Sequence, residues 1–170
     1  MSVPRLTDGV VVLRAHSLDD VDDVIAMASD VDSIRYTTVP VPYGRRDAVQ
    51  FITESVPQGW AAGTLAGWAI EADGRFAGNV DIRRAGVPEI GFVLAPWARG
   101  RGIMSRAVRL ATRWAFDEAG LPVVHWSAHV GNTASWRVAE ACGFTFDGTR
   151  PLSVAHRGEL RDAWWASLRP

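Results

Sequence analysis

The alternation of apolar and polar positions divides the chain into short elements of two periods. Val10-Val11-Val12-Leu13-Arg14-Ala15 is a β-branched run and predicts a first strand. Ser17-Leu18-Asp19-Asp20 then opens a helix, with serine suited to the N-cap and acids complementing the dipole of the first turn. Val21, Val24, Ile25 and Ala28 recur at helical spacing and give that helix one apolar face. The stretch from Tyr36 to Gly44 holds two prolines and predicts a loop, and a second helix is expected from Arg45 to about Val56. From Thr64 the period falls to two. Leu65 to Glu71 and Arg75 to Arg83 predict a hairpin turning at Asp73-Gly74. Glu89-Ile90-Gly91-Phe92-Val93-Leu94 predicts a further strand, cut by Pro96. The longest helical stretch runs from about Gly102 to Ala119, with Ile103, Ala107, Leu110 and Trp114 as its apolar stripe and Gly120 with Pro122 as its stop. Val123 to Val130 predicts a strand, Asn132 to Cys142 a short helix stopped by Gly143, Phe144 to Phe146 another strand, and Leu160 to Leu168 the last. The order β-α-α-β-β-β-α-β-α-β-β is that of a mixed α/β domain of the α+β type around one central sheet.

Composition narrows the class. A chain of 170 residues has the usual size of one domain, so residues 1–170 are expected to form a single domain. Apolar residues at 48% supply one sizeable core, and a formal net charge of −1 argues against disorder. The same balance lacks the basic excess of a nucleic-acid-binding surface, so the expected partners are small molecules or another protein. The one cysteine, Cys142, cannot form an internal disulfide, which suits a reducing compartment. Met1-Ser2-Val3-Pro4-Arg5-Leu6 has neither the basic head nor the apolar run of a signal peptide, and no stretch has the length of a bilayer span. The cytoplasm is the expected location, with no membrane partner.

The most informative segment is Leu94-Ala95-Pro96-Trp97-Ala98-Arg99-Gly100-Arg101-Gly102-Ile103-Met104-Ser105. A strand ends, two glycines follow, and a long amphipathic helix starts at once. Free N–H groups at a helix N-terminus attract anions, and glycine lets a phosphate approach the backbone closely. Arg99 and Arg101 add positive charge beside them. No Gly-Lys-Ser/Thr follows, so this is not a Walker A loop, and the Gly-x-Gly-x-x-Gly of a dinucleotide fold is missing. The plainer reading of the same residues is a left-handed glycine turn before a helix.

Arg99-Gly100-Arg101-Gly102-Ile103-Met104 resembles the Gln/Arg-x-x-Gly-x-Gly/Ala pyrophosphate loop of the Gcn5-related N-acetyltransferases (GNAT). Arg99 matches the first position and Gly102 the fourth, while Met104 stands at the sixth, where a small residue is usual. Asn132-Thr133-Ala134-Ser135 followed by Gly143-Phe144 resembles the family's second signature, which closes the cofactor site. Leu13-Arg14 and Gly158 with Asp162-Ala163-Trp164 are similar to the branch that acetylates ribosomal-protein N-termini, the RimJ/RimL-like branch. The resemblance implies a mostly antiparallel sheet splayed between the fourth and fifth strands, with helices on both faces. It also implies acetyl-CoA as co-substrate, no metal, and acetyl transfer to a primary amine by direct attack in a ternary complex. Pantetheine would fill the splay as a surrogate strand against the backbone of Phe92, Val93 and Leu94. The pyrophosphate would lie on Arg99, Gly100, Arg101, Gly102, Ile103, Met104 and Ser105, with Asn132 and Ser135 closing the site.

An amine must lose a proton to attack, since its ordinary pKa lies well above 7. Glu89, which opens the strand beside the expected thioester, is the first candidate base, and an exposed strand-end acid is the alternative. His125 and His129 share a face of the partner strand and are further candidates, as is water. Many relatives protonate the departing thiolate with a tyrosine, but Tyr36 and Tyr43 both lie early. Ser135 is the hydroxyl that matches, as general acid or as a cofactor contact. Arg106, Arg109 and Arg113 form a basic stripe that reads as a solvated helix face, or else as a contact for the coenzyme's 3′-phosphate or for RNA. Trp60, Trp68 and Trp97 are open to three readings: an acceptor groove, burial, or a homodimer interface. The acceptor stays open between a protein N-terminus, a small amine and an aminoglycoside or polyamine. A catalytically inactive acyl-CoA sensor is the reading from outside enzymology.

Overall fold

The computed structural model describes residues 3–170. One open sheet holds β1 (Leu6–Thr7), β2 (Val11–Arg14), β3 (Leu65–Ala72), β4 (Arg75–Arg83), β5 (Glu89–Leu94), β6 (Val124–His129), β7 (Thr145–His156) and β8 (Glu159–Leu168), in the order β1-β2-β3-β4-β5-β6-β8-β7. Neighbours pair antiparallel except β5 and β6, which run parallel. That pair is joined only at Glu89↔His125 and Ile90↔Trp126, although each strand has six residues. The two then part, as expected; the short β1 moves the splay to the fifth and sixth strands in chain order.

Helices α1 (Val21–Ala28), α2 (Val31–Tyr36), α3 (Arg45–Gln50), α4 (Val56–Ala62), α5 (Ile103–Asp117) and α6 (Thr133–Ala141) cover the sheet. Ser17 caps the entry to α1: its hydroxyl accepts from the Asp19 N–H, while the Asp20 carboxylate accepts from the Ser17 N–H at 2.8 Å. The predicted helix from Arg45 continues through a wider turn at Phe51–Ser55 into α4. Pro57 has no N–H to offer the carbonyl four residues back, and the turn just before it is the one that widens. No described helix is long and apolar enough to cross a membrane.

The period-2 pattern of β3 and β4, shifted by one residue at Ile70/Glu71, sends side chains to two cores. Trp68, Ile70, Val80 and Ile82 meet Ala107, Val108 and Ala111 of α5 on one side, and Ala69 and Phe76 meet Val21, Val24 and Met27 of α1 and Ala48 of α3 on the other. Trp60 and Trp68 do not line a groove. They are 5% and 0% exposed and stack edge-on with Trp114 at 5.0–5.3 Å, a cluster that fastens α4 and α5 to β3. Trp97 gives its indole N–H to the Phe76 carbonyl and lies under Arg75. Arg106 pairs with Asp8 and Arg109 donates to the Ala141 carbonyl, so two members of the basic stripe serve the fold's own contacts.

Besides the short β1, two elements differ from the sequence pattern. Helix α2 was not anticipated; Asp30 caps it by accepting from the N–H groups of Asp32 and Ser33. β7 runs from Thr145 to His156, far beyond the predicted Phe144 to Phe146. It lies at the sheet edge, and its register slips between Phe146 and Gly148 and again between Arg150 and Val154. Bulges break the alternation that marks a strand, and an edge strand can carry Pro151.

Candidate active site

The splay leaves a strand edge inside the sheet. β5 pairs with β4 along the whole length of β5, from Arg83↔Glu89 to Gly78↔Leu94. On the other side β5 has no strand partner beyond Ile90, so backbone groups of the Gly91–Leu94 stretch that point that way lack a ladder. Side-chain burial records the opening: Ile90 is 1% exposed, whereas the apolar Phe92, Val93 and Leu94 are only half-buried. Gly78 keeps this edge where it is. A Cβ there would stand 2.2 Å from the Val93 carbonyl oxygen, so only glycine lets β4 approach the end of β5 so closely.

A short turn at Pro96–Ala98 leads from β5 into the loop before α5, where Gly100 and Gly102 adopt left-handed φ values of +73° and +72°. Gly102 occupies the N-cap without a side-chain cap, and its carbonyl takes the Arg106 N–H at 3.3 Å. The N–H groups of Ile103, Met104 and Ser105 therefore have no acceptor within the helix and form the anion-attracting end that the sequence predicts. The side chains of Ile103 and Met104 turn into the core, each 4% exposed. A bulky residue at position 104 thus leaves the loop open, because only its backbone faces the loop. The two arginines are already partnered. Arg99 donates to Asp30 at 2.6 Å, to Asp32 at 3.1 Å and to the Leu94 carbonyl at 3.2 Å; Arg101 donates to Asp73 at 2.7 Å. Burial raises the Asp30 carboxyl, but Arg99 outweighs it and the net shift is downward. Arg99 ties the end of β5 to the start of α2, which leaves the backbone N–H groups as the free anion donors.

Across the cleft, Asn132 caps α6 by accepting the Ser135 N–H on its Oδ1 at 3.2 Å. The Ser135 hydroxyl oxygen accepts the indole N–H of Trp126 at 3.0 Å. A hydroxyl has one proton, and here its oxygen is already the acceptor in a bond from a buried donor. The Ser135 proton therefore remains to be given away. Trp126 is 1% exposed on β6, at the last point where that strand touches β5. Cys142 donates to the Ser105 carbonyl at 3.3 Å, and burial pushes its thiol up, which makes it a packing thiol joining α6 to α5.

The opposite face of the sheet carries the acids. Glu89 accepts on Oε1 from Ser127 at 2.6 Å and from Arg83 at 3.1 Å. Asp81 stands beside Gly91, close enough that a Cβ at Gly91 would lie 3.3 Å from its carboxylate. Burial foremost, opposed by Arg83 and joined by Glu89, leaves the Asp81 carboxyl raised to about 6. The side chain nevertheless keeps 34% exposure. Asp81 and Trp126 were not singled out by sequence reasoning. The alternation Asn79-Val80-Asp81-Ile82-Arg83 was a usable signal, since it puts three polar side chains on one face, but the register opposite Gly91 is a tertiary fact. His125 is the register partner of Glu89 at the closed end of the cleft, whereas His129 lies at the open end against His156, ring centroids 4.7 Å apart. The structure does not bring His129 to Glu89.

Comparison with known proteins agrees with this geometry. The family described as "Acetyltransferase (GNAT) domain" matches residues 11–145. FsC-acetyl coenzyme A-N(2)-transacetylase from Aspergillus fumigatus is 33% identical over 87 residues, covering 51% of this chain and 37% of that protein, so the chain matches only about a third of that relative's length. Among solved structures, the microcin self-immunity acetyltransferase MccE in complex with acetyl-CoA and AMP aligns with a TM-score of 0.86 at 19% identity, covering 96% of this chain and 94% of the other. The ribosomal-protein α-N-acetyltransferase RimL in complex with coenzyme A aligns at 0.85 and 16% identity, covering 99% and 98%. RimJ of Mycobacterium smegmatis in complex with a coenzyme A disulfide aligns at 0.85 and 21% identity, covering 98% and 86%. A splayed sheet, a glycine turn opening α5, an Asn-capped α6 and a family match across most of the sequence lead to one conclusion: the chain belongs to the GNAT acetyltransferases.

Proposed function

We propose that this protein transfers acetyl from acetyl-CoA to a primary amine by direct attack in a ternary complex, the amine belonging to a protein N-terminus or to a small molecule. The observation that carries the reading is the arrangement around the wedge between β5 and β6. A proton donor, Ser135, lies on one side and two carboxylates, Glu89 and Asp81, on the other.

The chain's groups then divide the work. The unpaired edge of Phe92, Val93 and Leu94 holds an extended pantetheine as a strand would, and an N–H of that edge polarises the thioester carbonyl. The N–H groups of Ile103, Met104 and Ser105, reached through Gly100 and Gly102, take the pyrophosphate. Arg99 and Arg101 shape the loop through their carboxylate partners, and Asn132 presents Ser135. Glu89, its Oε1 fixed by two donors, and Asp81 accept the ammonium proton, directly or through water. Asp81 lies one pleat pair nearer to Val93 than Glu89 does, roughly 7 Å along the strand. Ser135 donates to the departing thiolate. The sheet is continuous from β1 to β7, which supports reading residues 1–170 as one domain.

The test is thiol release from acetyl-CoA across a panel of primary amines, with mass spectrometry of the products. Amine-dependent release with N-acetyl product is the expected result. Tight acetyl-CoA binding with no release for any amine would instead support the sensor reading.

A further inference from the structure

A cavity of about 380 Å³ opens at the C-terminal end of β6, between α2 and the turn that joins β7 to β8. Its walls include Arg35, Tyr36, His129, His156, Arg157 and Arg161, and no carboxylate is among the described residues lining it. The three guanidiniums are weakly compensated. Arg157 donates to the neutral carbonyls of Ile34 at 3.0 Å and Val39 at 3.3 Å. Arg35 lies over the Tyr36 ring at 5.2 Å and has no ion-pair partner among the described residues. Arg161 pairs with Glu159 at 2.8 Å, but that pair is more than half exposed on both sides and is screened by water and salt. His156 adds a buried Nε2 with no hydrogen-bond partner. In a recess, charges of one sign reinforce each other's field, and guanidinium forks match carboxylate and phosphate oxygens. A chain of net charge −1 thus concentrates positive charge at one concave place.

The position of the cavity relative to the wedge follows from register. β6 runs parallel to β5 with His125 opposite Glu89, so Ser127 falls level with Gly91 and His129 level with Val93. His125, Ser127 and His129 also share the face that carries Glu89 and Asp81. From Asp81, level with Gly91, to His129 is two residues along the strand, roughly 7 Å; from Glu89 it is four, roughly 13 Å. Burial, then His156 and Arg161, lowers the pKa of the His129 imidazole, in keeping with a positive field at this end.

We infer that this cavity is the subsite for an anionic group on the acceptor, a carboxylate or phosphate displaced roughly 7–13 Å along the strand direction from the amine that is acetylated. The inference rests on the acetyl-transfer reading above. The acceptor is zwitterionic in its bound stretch: the ammonium faces Asp81 and Glu89, and the acidic group faces Arg35, Arg157 and Arg161. An extended peptide advances about 3.5 Å per residue, so an acidic residue at position 2 or 3 behind a free α-amine spans the gap. Polyamines and aminoglycosides place cations where the arginines lie and are poor acceptors.

Matched tetrapeptide amides test this, differing only at positions 2 and 3: two aspartates, two phosphoserines, two asparagines or two lysines, each behind an N-terminal serine. With full-length protein and acetyl-CoA, kcat/KM falls about tenfold or more from either acidic peptide to the asparagine peptide, and further to the lysine peptide. The ratio of the two acidic arms tells carboxylate from phosphate. Arg35→Gln with Arg161→Gln raises KM for the acidic peptides about tenfold or more and leaves the asparagine peptide within about twofold. Acetyl-CoA affinity by calorimetry stays unchanged and reports on folding, and Arg35→Gln alone gives a smaller shift in the same direction. Equal kcat/KM for acidic and asparagine peptides overturns the inference. If no peptide is acetylated although acetyl-CoA binds, the transfer reading falls, and calorimetric binding of the aspartate peptide to the coenzyme A-saturated protein still reads the subsite. Binding lost in the double variant supports the subsite, and equal binding of the asparagine peptide overturns it.

Discussion

Ser135 and Trp126 form a donor relay of two residues, and its direction is set by chemistry: an indole N–H can only donate, so the serine oxygen accepts and the serine proton points onward. Ser135→Ala is expected to lower kcat by up to about 10²-fold with a smaller change in KM for acetyl-CoA, because the bond strengthens as charge develops on sulfur. A raised KM with intact kcat, read from steady-state kinetics, would leave Ser135 as a cofactor contact only. Trp126→Phe keeps the ring and removes the donor, and about a tenfold or smaller loss of kcat is expected. On the other face, Asp81 with a carboxyl near 6 must be ionised to accept a proton, so kcat/KM rises with pH through about 6. Asp81→Asn removes that limb of the profile. If Glu89→Gln removes it instead, Glu89 is the titrating base and Asp81 only tunes its surroundings.

At the level of elements, the start of α5 and the pairing of β4 with β5 set the shape of the proposed coenzyme site. Gly102 has a left-handed φ and nothing within 4 Å of a would-be Cβ, so a side chain there meets strain and charge but no wall. Asparagine tolerates this conformation better than most residues and is neutral, whereas aspartate is nearly isosteric and negative. Gly102→Asp is expected to weaken acetyl-CoA binding about tenfold or more relative to Gly102→Asn, by calorimetry at moderate ionic strength. Similar affinities for the two variants would move the phosphates away from α5. Gly78→Ala puts a methyl against the Val93 carbonyl and must push the end of β5 from β4. A loss of about 1–3 kcal/mol in urea unfolding is expected, together with weaker acetyl-CoA binding, because the displaced strand is one wall of the wedge.

Across the whole molecule, Arg14 joins three elements: it grips Asp20 with both terminal nitrogens at 2.8 Å and Glu71 with Nε at 2.7 Å, fastening β2 to β3 and to the entry of α1. Burial raises the Asp20 carboxyl, but Arg14 and the Ser17 N–H lower it more, and the net shift is downward. A depressed carboxyl stabilises the fold above its unfolded pKa of about 3.9, and that contribution is lost as pH falls through the lower folded value. Asp8, held near 2 by Val11, Arg106 and Val10 against the rise from burial, adds a contribution of the same sign in the same range. Stability is therefore expected to fall between about pH 4 and 2. Asp20→Asn costs about 2–4 kcal/mol at pH 7 and flattens this decline. Urea melts of both proteins at pH 7 and pH 3 measure it; parallel pH dependence would show that Asp20 does not drive the acid limb.

The sequence by itself determined most of the local elements, α2 excepted, and the glycine turn of the proposed phosphate site. Strand and helix periods, the Ser17 and Asn132 caps, and the glycine turn before α5 are short-range matters of backbone freedom and side-chain reach, readable from neighbouring residues. The extent of β7 escaped it because bulges and Pro151 erase alternation while edge pairing with β8 still holds the strand. The partners of Arg99 and Arg101, the indole behind Ser135, the closeness of Asp81 to Gly91 and the arginine cavity join residues far apart in the chain. The stacking order β4-β5-β6-β8 and the register within it place Asp81, Trp126, His129 and Arg161, and a one-residue slip of any of these strands would turn its side chains to the opposite face of the sheet. Arg99, Arg101, Ser135 and Arg35 reach their places through loops and helices packed against that sheet.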